Sequence, residues 1–335
     1  MEVLISIFVL SIGLLGVAAM IPVGRHEIVE AAKADRGAAV ARAALREIKV
    51  RRMLEALQYP VDDDSQTIKS VMMWHGMNSS YRYTLIDPLF FTEHSRTEDF
   101  WKFPYRGSSL LPSVRRVGLR AYASNSAPLM GDCGMAEEVF VWHDDLLFNI
   151  PDDKAQRPQA VLDSSGNQQH EGNYSWMVMV GTDTSVMTRD RTRFDVSIPV
   201  FYKRNLRAEN PSSDPHPEQN GEREAQVLQF TGMGLGGGDV RMQLAHRDDA
   251  KRLKKNEWTM LWAASSGSHY ITHAAWYRVV AAAPENDTLV YRVTLAGPDW
   301  PVNTYSTGVR AVLMEGVVNV FTETIELSGD AFRAP

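Results

Sequence analysis

The sequence predicts an α+β protein: one long N-terminal helix, membrane-spanning in its first half and amphipathic in its second, carrying a large, mainly antiparallel β head. Three observations predict it. Residues Val3 to Ile21 run nineteen positions without a charge, about the length that crosses bilayer hydrocarbon. From Gly24 to Leu57 the chain is rich in alanine, leucine, arginine, glutamate and lysine, the strong helix formers. After Pro60 it turns to short β-branched and aromatic runs separated by turn formers, the texture of strands.

The first element, residues 1–23, is expected to lie in the membrane. A cleaved secretory signal is the competing reading; it would open with lysine or arginine and have a shorter apolar core, whereas this chain opens Met1-Glu2. The second element, residues 24–59, places Val40, Ala44, Ile48 and then Met53, Leu54 and Leu57 at three- and four-residue steps, with Arg42, Arg46, Lys49, Arg52 and Glu55 between them. That pattern is one apolar stripe on a polar helix. A helix from Glu2 to about Gln58 would be about 85 Å long, with Tyr59-Pro60 and Asp62-Asp63-Asp64 ending it. Pro22 and Gly24 sit where the two halves meet, and a helix-interior proline removes one backbone hydrogen bond, so a kink or local melting is expected there.

The third element, residues 60–335, is the head, as one or two subdomains. Strands are expected at Tyr81–Ile86, Glu138–His143, Tyr174–Val180, Phe194–Tyr202, Gln226–Phe230, Trp276–Val280, Leu289–Leu295 and Val317–Leu327, while Trp258–Ala263 fits helix or strand. Pro151–Gly172 and Asn205–Glu224 read as long polar loops, and Gly232–Gly238 as a glycine-rich turn.

The segment Glu2-Val3-Leu4-Ile5-Ser6-Ile7-Phe8-Val9-Leu10-Ser11-Ile12-Gly13-Leu14-Leu15-Gly16 resembles the N-terminal region of type IV pilins, minor pilins and type II secretion pseudopilins. The resemblance covers residues 2–58. It implies a structural subunit of a pilus or pseudopilus, an accessory or tip component given the size of the head. It also implies cleavage of a leader by a prepilin peptidase, methylation of the new N-terminus, and other pilin or pseudopilin subunits as partners through the helix. Met1 is then expected to be an internal methionine, with the true product beginning upstream. Glu2 stands where the family glutamate belongs, and the resemblance implies that it pairs with a neighbouring subunit's N-terminal amine to set axial register. Independently of the family, a carboxylate at the end of an apolar span needs a partner or must reach the headgroups. The resemblance places the head outside the cytoplasm on a single-pass anchor in the cytoplasmic membrane, or on a filament or the cell surface. A count of the basic residues after the span, Arg25 to Arg52, places that segment inside. The alternative function is a membrane-anchored binding protein whose β head does not polymerise.

Composition and motifs argue against other classes. The formal charge of −6 provides no broad basic face for nucleic acid. Cys133 is the single cysteine, which excludes an intrachain disulfide framework. Neither Gly-x-Ser-x-Gly, His-Glu-x-x-His nor a phosphate-loop pattern occurs, so no catalytic residue, cofactor or metal site is expected. Asp62-Asp63-Asp64, His143-Asp144-Asp145 and His246-Arg247-Asp248-Asp249 lack the spacing of a calcium loop and read as solvated or capping carboxylates. Trp74, Trp142, Trp176, Trp262 and Trp276 fall within apolar runs, which favours core packing over a ligand groove.

Overall fold

The computed structural model describes residues 2–51, 53–54, 69–71, 83–93, 102–105, 112–117, 120–122, 128–129, 133–143, 146–149, 151, 157, 159–162, 169–182, 193–206, 221–234, 236–264, 271–286 and 289–326. In chain order the elements are helix α1 (Glu2–Val50), strands β1 (Lys69–Val71) and β2 (Tyr83–Ile86), helix α2 (Pro88–Glu93), strands β3 (Lys102–Phe103), β4 (Val114–Val117), β5 (Arg120–Tyr122) and β6 (Pro128–Leu129), and helix α3 (Cys133–Phe140). Strands β7 (Val141–Trp142), β8 (Phe148–Asn149), β9 (Gln159–Ala160), β10 (Tyr174–Trp176), β11 (Val178–Thr182), β12 (Arg193–Tyr202), β13 (Glu222–Gly234) and β14 (Gly237–Leu244) follow. After a 3-10 helix (Arg247–Arg252) come β15 (Trp258–Ala264), β16 (Ile271–Pro284), β17 (Val290–Ala296), β18 (Arg310–Met314) and β19 (Val317–Glu326).

Helix α1 runs 49 residues without a break across Pro22 and Gly24, about 74 Å of rod; there is no melted turn at the proline. Its second half buries Gly37, Val40, Ala41, Ala44, Leu45 and Ile48, the i, i+3, i+4 stripe of a helix packed on one face. Continued, that stripe would next fall on Arg51, Arg52 and Glu55. The helix instead ends at Val50, earlier than the expected Gln58. The Met53 N–H donates to the Ile48 carbonyl, five residues back, at 3.0 Å. This widened turn swings Met53 and Leu54 into the core, 6% and 2% exposed, where a regular helix would have sent charged residues. Leu57, Tyr59-Pro60 and Asp62-Asp63-Asp64 lie outside the described residues.

The stripe packs on a sheet ordered β3-β4-β2-β11-β12, with β10 beside the far end of β12, β7 beside β10, and β19 along the other edge of β12. Its pairings are antiparallel except β2 with β4. Alternation divides β12: Phe194, Val196, Ile198 and Val200 face α1 together with Trp176, Val178 and Val180, while Phe201 and Met177 face away. Helix and sheet approach closely at Gly37, where a Cβ would stand 2.8 Å from Val318 Cγ2.

Behind the sheet lies a closed antiparallel barrel, β13-β14-β17-β16-β15-β18. Val227, Val240, Met242, Leu261, Val279, Val293 and Leu313 fill its interior. Met260, Trp262, Trp276, Val312 and Met314 project outward and pack on Leu85, Phe103, Met177, Met179 and Phe201 of the sheet. The layers are thus helix, sheet and barrel. Strands buried on both sides lose polar alternation, so Met260-Leu261-Trp262-Ala263 is equally apolar in either periodicity, yet it is strand β15. The Gly232–Gly238 turn closes the β13–β14 hairpin, with φ of 67° at Gly232 and 86° at Gly236, values that favour glycine.

Three expectations for the head are corrected. Glu138–His143 is not a strand: α3 runs to Phe140 and only Val141–Trp142 pairs. The helix wins because Ala136 and Phe140, four residues apart and both 0% exposed, reach the core together, with Phe140 4.2 Å from the Trp176 ring. The polar stretch expected as a loop from Pro151 contains β9, paired with β8, and Asn205–Glu224 ends in the first residues of β13.

Candidate functional site

The functional feature built most directly from sequence is the free half of α1. From Val3 to Val23 the described apolar side chains are exposed, Leu10 73%, Leu15 73% and Met20 75% among them. One helix, this one, is long and apolar enough to cross a membrane among the described residues. Covering the twelve large side chains that stand exposed between Val3 and Val23 is worth on the order of 20–30 kcal/mol, at about 1.5–3 kcal/mol each. That exceeds the net stability of a typical domain, about 5–15 kcal/mol, so leaving this surface in water is costly on the scale of folding itself. The Ser11 Oγ donates to the Ile7 carbonyl at 2.7 Å, satisfying a hydroxyl that lipid could not. A Cβ added at Gly13, Gly16 or Gly24 would meet nothing within 4 Å, so these positions leave room for a neighbouring helix. Glu2 is the first residue of the helix; its side chain lies outside the described residues.

The stem enters the head through polar contacts. Lys33 pairs with Glu30 at 2.7 Å and lies 4.9 Å from the Tyr202 ring centroid. The Asn319 amide donates to the Ala34 carbonyl at 3.4 Å, and Lys49 pairs with Glu323 at 2.8 Å. Beside this junction, burial pushes the Glu257 carboxyl up to about 7; Lys254 opposes the rise and Glu30 and Glu315 add to it.

Sequence reasoning missed a buried ionic network that joins sheet and barrel. Arg204 grips Asp87 with two hydrogen bonds, of 2.6 and 2.7 Å. Arg116, fully buried on β4, stands 3.3 Å from Asp87 and pairs with Glu222 of β13. Its guanidinium lies 3.5 Å from the Phe90 ring centroid. The Tyr105 N–H donates to the second Glu222 oxygen at 2.9 Å. Burial acts to raise the Asp87 carboxyl, but Arg204 and Arg116 outweigh it and hold it below the usual range. Asp87, Arg116, Arg204 and Glu222 are separated along the chain by 29, 88 and 18 positions, and no local pattern marks them.

The Asp249 carboxylate accepts from the His246 backbone N–H at 3.1 Å, capping the 3-10 helix. Asp144 and Asp145 lie outside the described residues, and among the described residues no three His, Cys, Asp or Glu side chains gather to hold a metal ion. Trp176, Trp262 and Trp276 are core residues, Trp142 is 39% exposed, and Trp74 lies outside the described residues. Cys133 begins α3.

No protein-family model matches the chain, and no curated protein matches it.

Proposed function

We propose that this chain is a structural subunit of the type IV pilin and pseudopilin kind, an accessory or tip component held in the cytoplasmic membrane by its N-terminal helix before assembly, with the head outside the cytoplasm and no catalytic role. The observation that carries the reading is the continuity of α1. One unbroken helix passes from an exposed apolar half into a half whose stripe packs into the core beneath a mainly antiparallel sheet. Such a rod couples the head rigidly to whatever surrounds the free half, which suits a subunit that leaves lipid for a bundle of like helices. Glu2 is the register residue in this proposal, and Pro22, which lacks one helix hydrogen-bond donor, is the position where the free half would adjust to its neighbours. Replacement Glu2→Leu in the native host tests it: membrane fractionation should persist while recovery in sheared filaments falls at least tenfold. Recovery equal to wild type would refute the register role, and absence of the wild-type chain from any filament would favour a membrane-anchored binding protein.

A further inference from the structure

The head carries an exposed apolar ribbon whose position along the stem indicates what covers it. Strands β7 and β10 pair Val141 with Ser175 and Trp142 with Tyr174, and the bridge between Leu146 and His170 continues the same antiparallel register beyond the sheet. The Leu147 N–H donates to the Gln169 carbonyl at 2.9 Å, and Phe148 pairs with Ala160. Trp142 and Leu146 are each 39% exposed, Phe148 50% and Leu162 55%. Among the described residues beyond the stem, the other large apolar side chains so exposed are Leu228 and Val280, on the barrel.

The ribbon points toward the membrane end of the stem. Lys33 lies over Tyr202, Ala34 accepts from Asn319, and Lys49 pairs with Glu323. Asn319 sits opposite Val200 and Glu323 opposite Val196, so β12 runs toward the N-terminus of α1. Strand β10 is antiparallel to β12 and β7 antiparallel to β10; β7 therefore also runs toward the membrane end. Trp142 lies beside Tyr174, which is opposite Tyr202, at the level of Lys33. From Lys33 back to Val23, the last residue of the apolar run, is ten residues, about 15 Å of helix. On the partner strand, from Tyr174, opposite Trp142, back to Gln169, which accepts from Leu147, is five residues, about 17 Å of strand. The ribbon is long enough to bring Phe148 to the edge of the hydrocarbon.

We propose that the face formed by Trp142, Leu146, Phe148 and Leu162 docks in the interfacial layer of the bilayer that holds the stem, giving the unassembled subunit a second membrane contact. Aromatic and aliphatic side chains at this depth exchange water for the headgroup and upper acyl region, where an indole is well accommodated. The proposal rests on the membrane-anchoring reading of α1, and its test separates the two.

The full chain, with Cys133→Ser, is placed in phosphatidylcholine nanodiscs and spin-labelled singly at Ile12→Cys, Phe148→Cys, Leu162→Cys or Val280→Cys. Relaxation by oxygen, which concentrates in lipid, is compared with relaxation by a water-soluble nickel chelate. Positions 12, 148 and 162 should favour oxygen several-fold over position 280. Oxygen preference at 12 with nickel preference at both 148 and 162 overturns the docking and leaves the anchor intact. Nickel preference at 12 overturns both. Shielding of 148 and 162 from both reagents, deepening as copies per disc increase, would assign the face to a second copy and also overturn the proposal.

Discussion

Replacing Ile48 by alanine should loosen the sheet that the stem supports, while the same kind of truncation at Leu14 should not. Ile48 is 2% exposed and sits in the cluster that joins α1 to β10, β11 and β12; Leu14 is 71% exposed. Loss of three buried carbons removes about 2.4 kcal/mol at roughly 0.8 kcal/mol each, and the cavity left between helix and sheet raises the total to about 3 kcal/mol. Amide hydrogen exchange read by mass spectrometry on β12 and β19 peptides measures this, because protection reports the free energy of opening. At about 1.4 kcal/mol per decade, Ile48→Ala should lower protection by roughly 100-fold, and Leu14→Ala by less than about threefold. Unchanged β12 protection in Ile48→Ala would refute the view that the stem is part of the head's core. An equal loss in Leu14→Ala would show that the free half also packs on the head.

Two further outcomes follow from the charged groups. Asp87→Asn strips the central carboxylate from between Arg204 and Arg116 and should destabilise the head by about 3–5 kcal/mol, read as a lowered thermal midpoint. Because Asp87 is held below its usual range in the folded chain, its contribution is present above the unfolded carboxylate range and lost as pH falls through its folded value, so the wild-type advantage over Asp87→Asn should shrink in acid. Glu257 works in the opposite sense. Its folded value of about 7 lies above the ordinary 4.5, so the fold binds the extra proton and stability declines as pH rises from about 4.5 to 7. Glu257→Gln should flatten that decline in a melting series across the interval, and an unchanged slope would remove Glu257 from the account.

The parts of the fold legible in the sequence are those written in local periodicity. The nineteen uncharged residues and the stripe at Val40, Ala44 and Ile48 mark both halves of α1, and alternation marks β12 and the β10–β11 line. Even the early end of α1 is visible in retrospect, since the stripe would next have met Arg51, Arg52 and Glu55. The rest depends on distant pairing. The barrel closes by joining β13 to β18, strands some 80 positions apart, and nothing local in either announces the partner. Helix α3 carries β-branched Val139 near its end and is followed at once by Val141 of β7, and only the joint burial of Ala136 and Phe140 decides for helix. The apolar ribbon escaped notice because its residues are few and scattered; their common exposure appears only once β7 and β10 are paired.

N-terminal mass spectrometry of the mature protein from its native host, with and without the prepilin peptidase, tests the central claim most directly. The account predicts a methylated N-terminus just before Glu2 that depends on the peptidase. An unprocessed N-terminus at Met1, indifferent to the peptidase, would contradict it, leaving a membrane anchor without the assembly role.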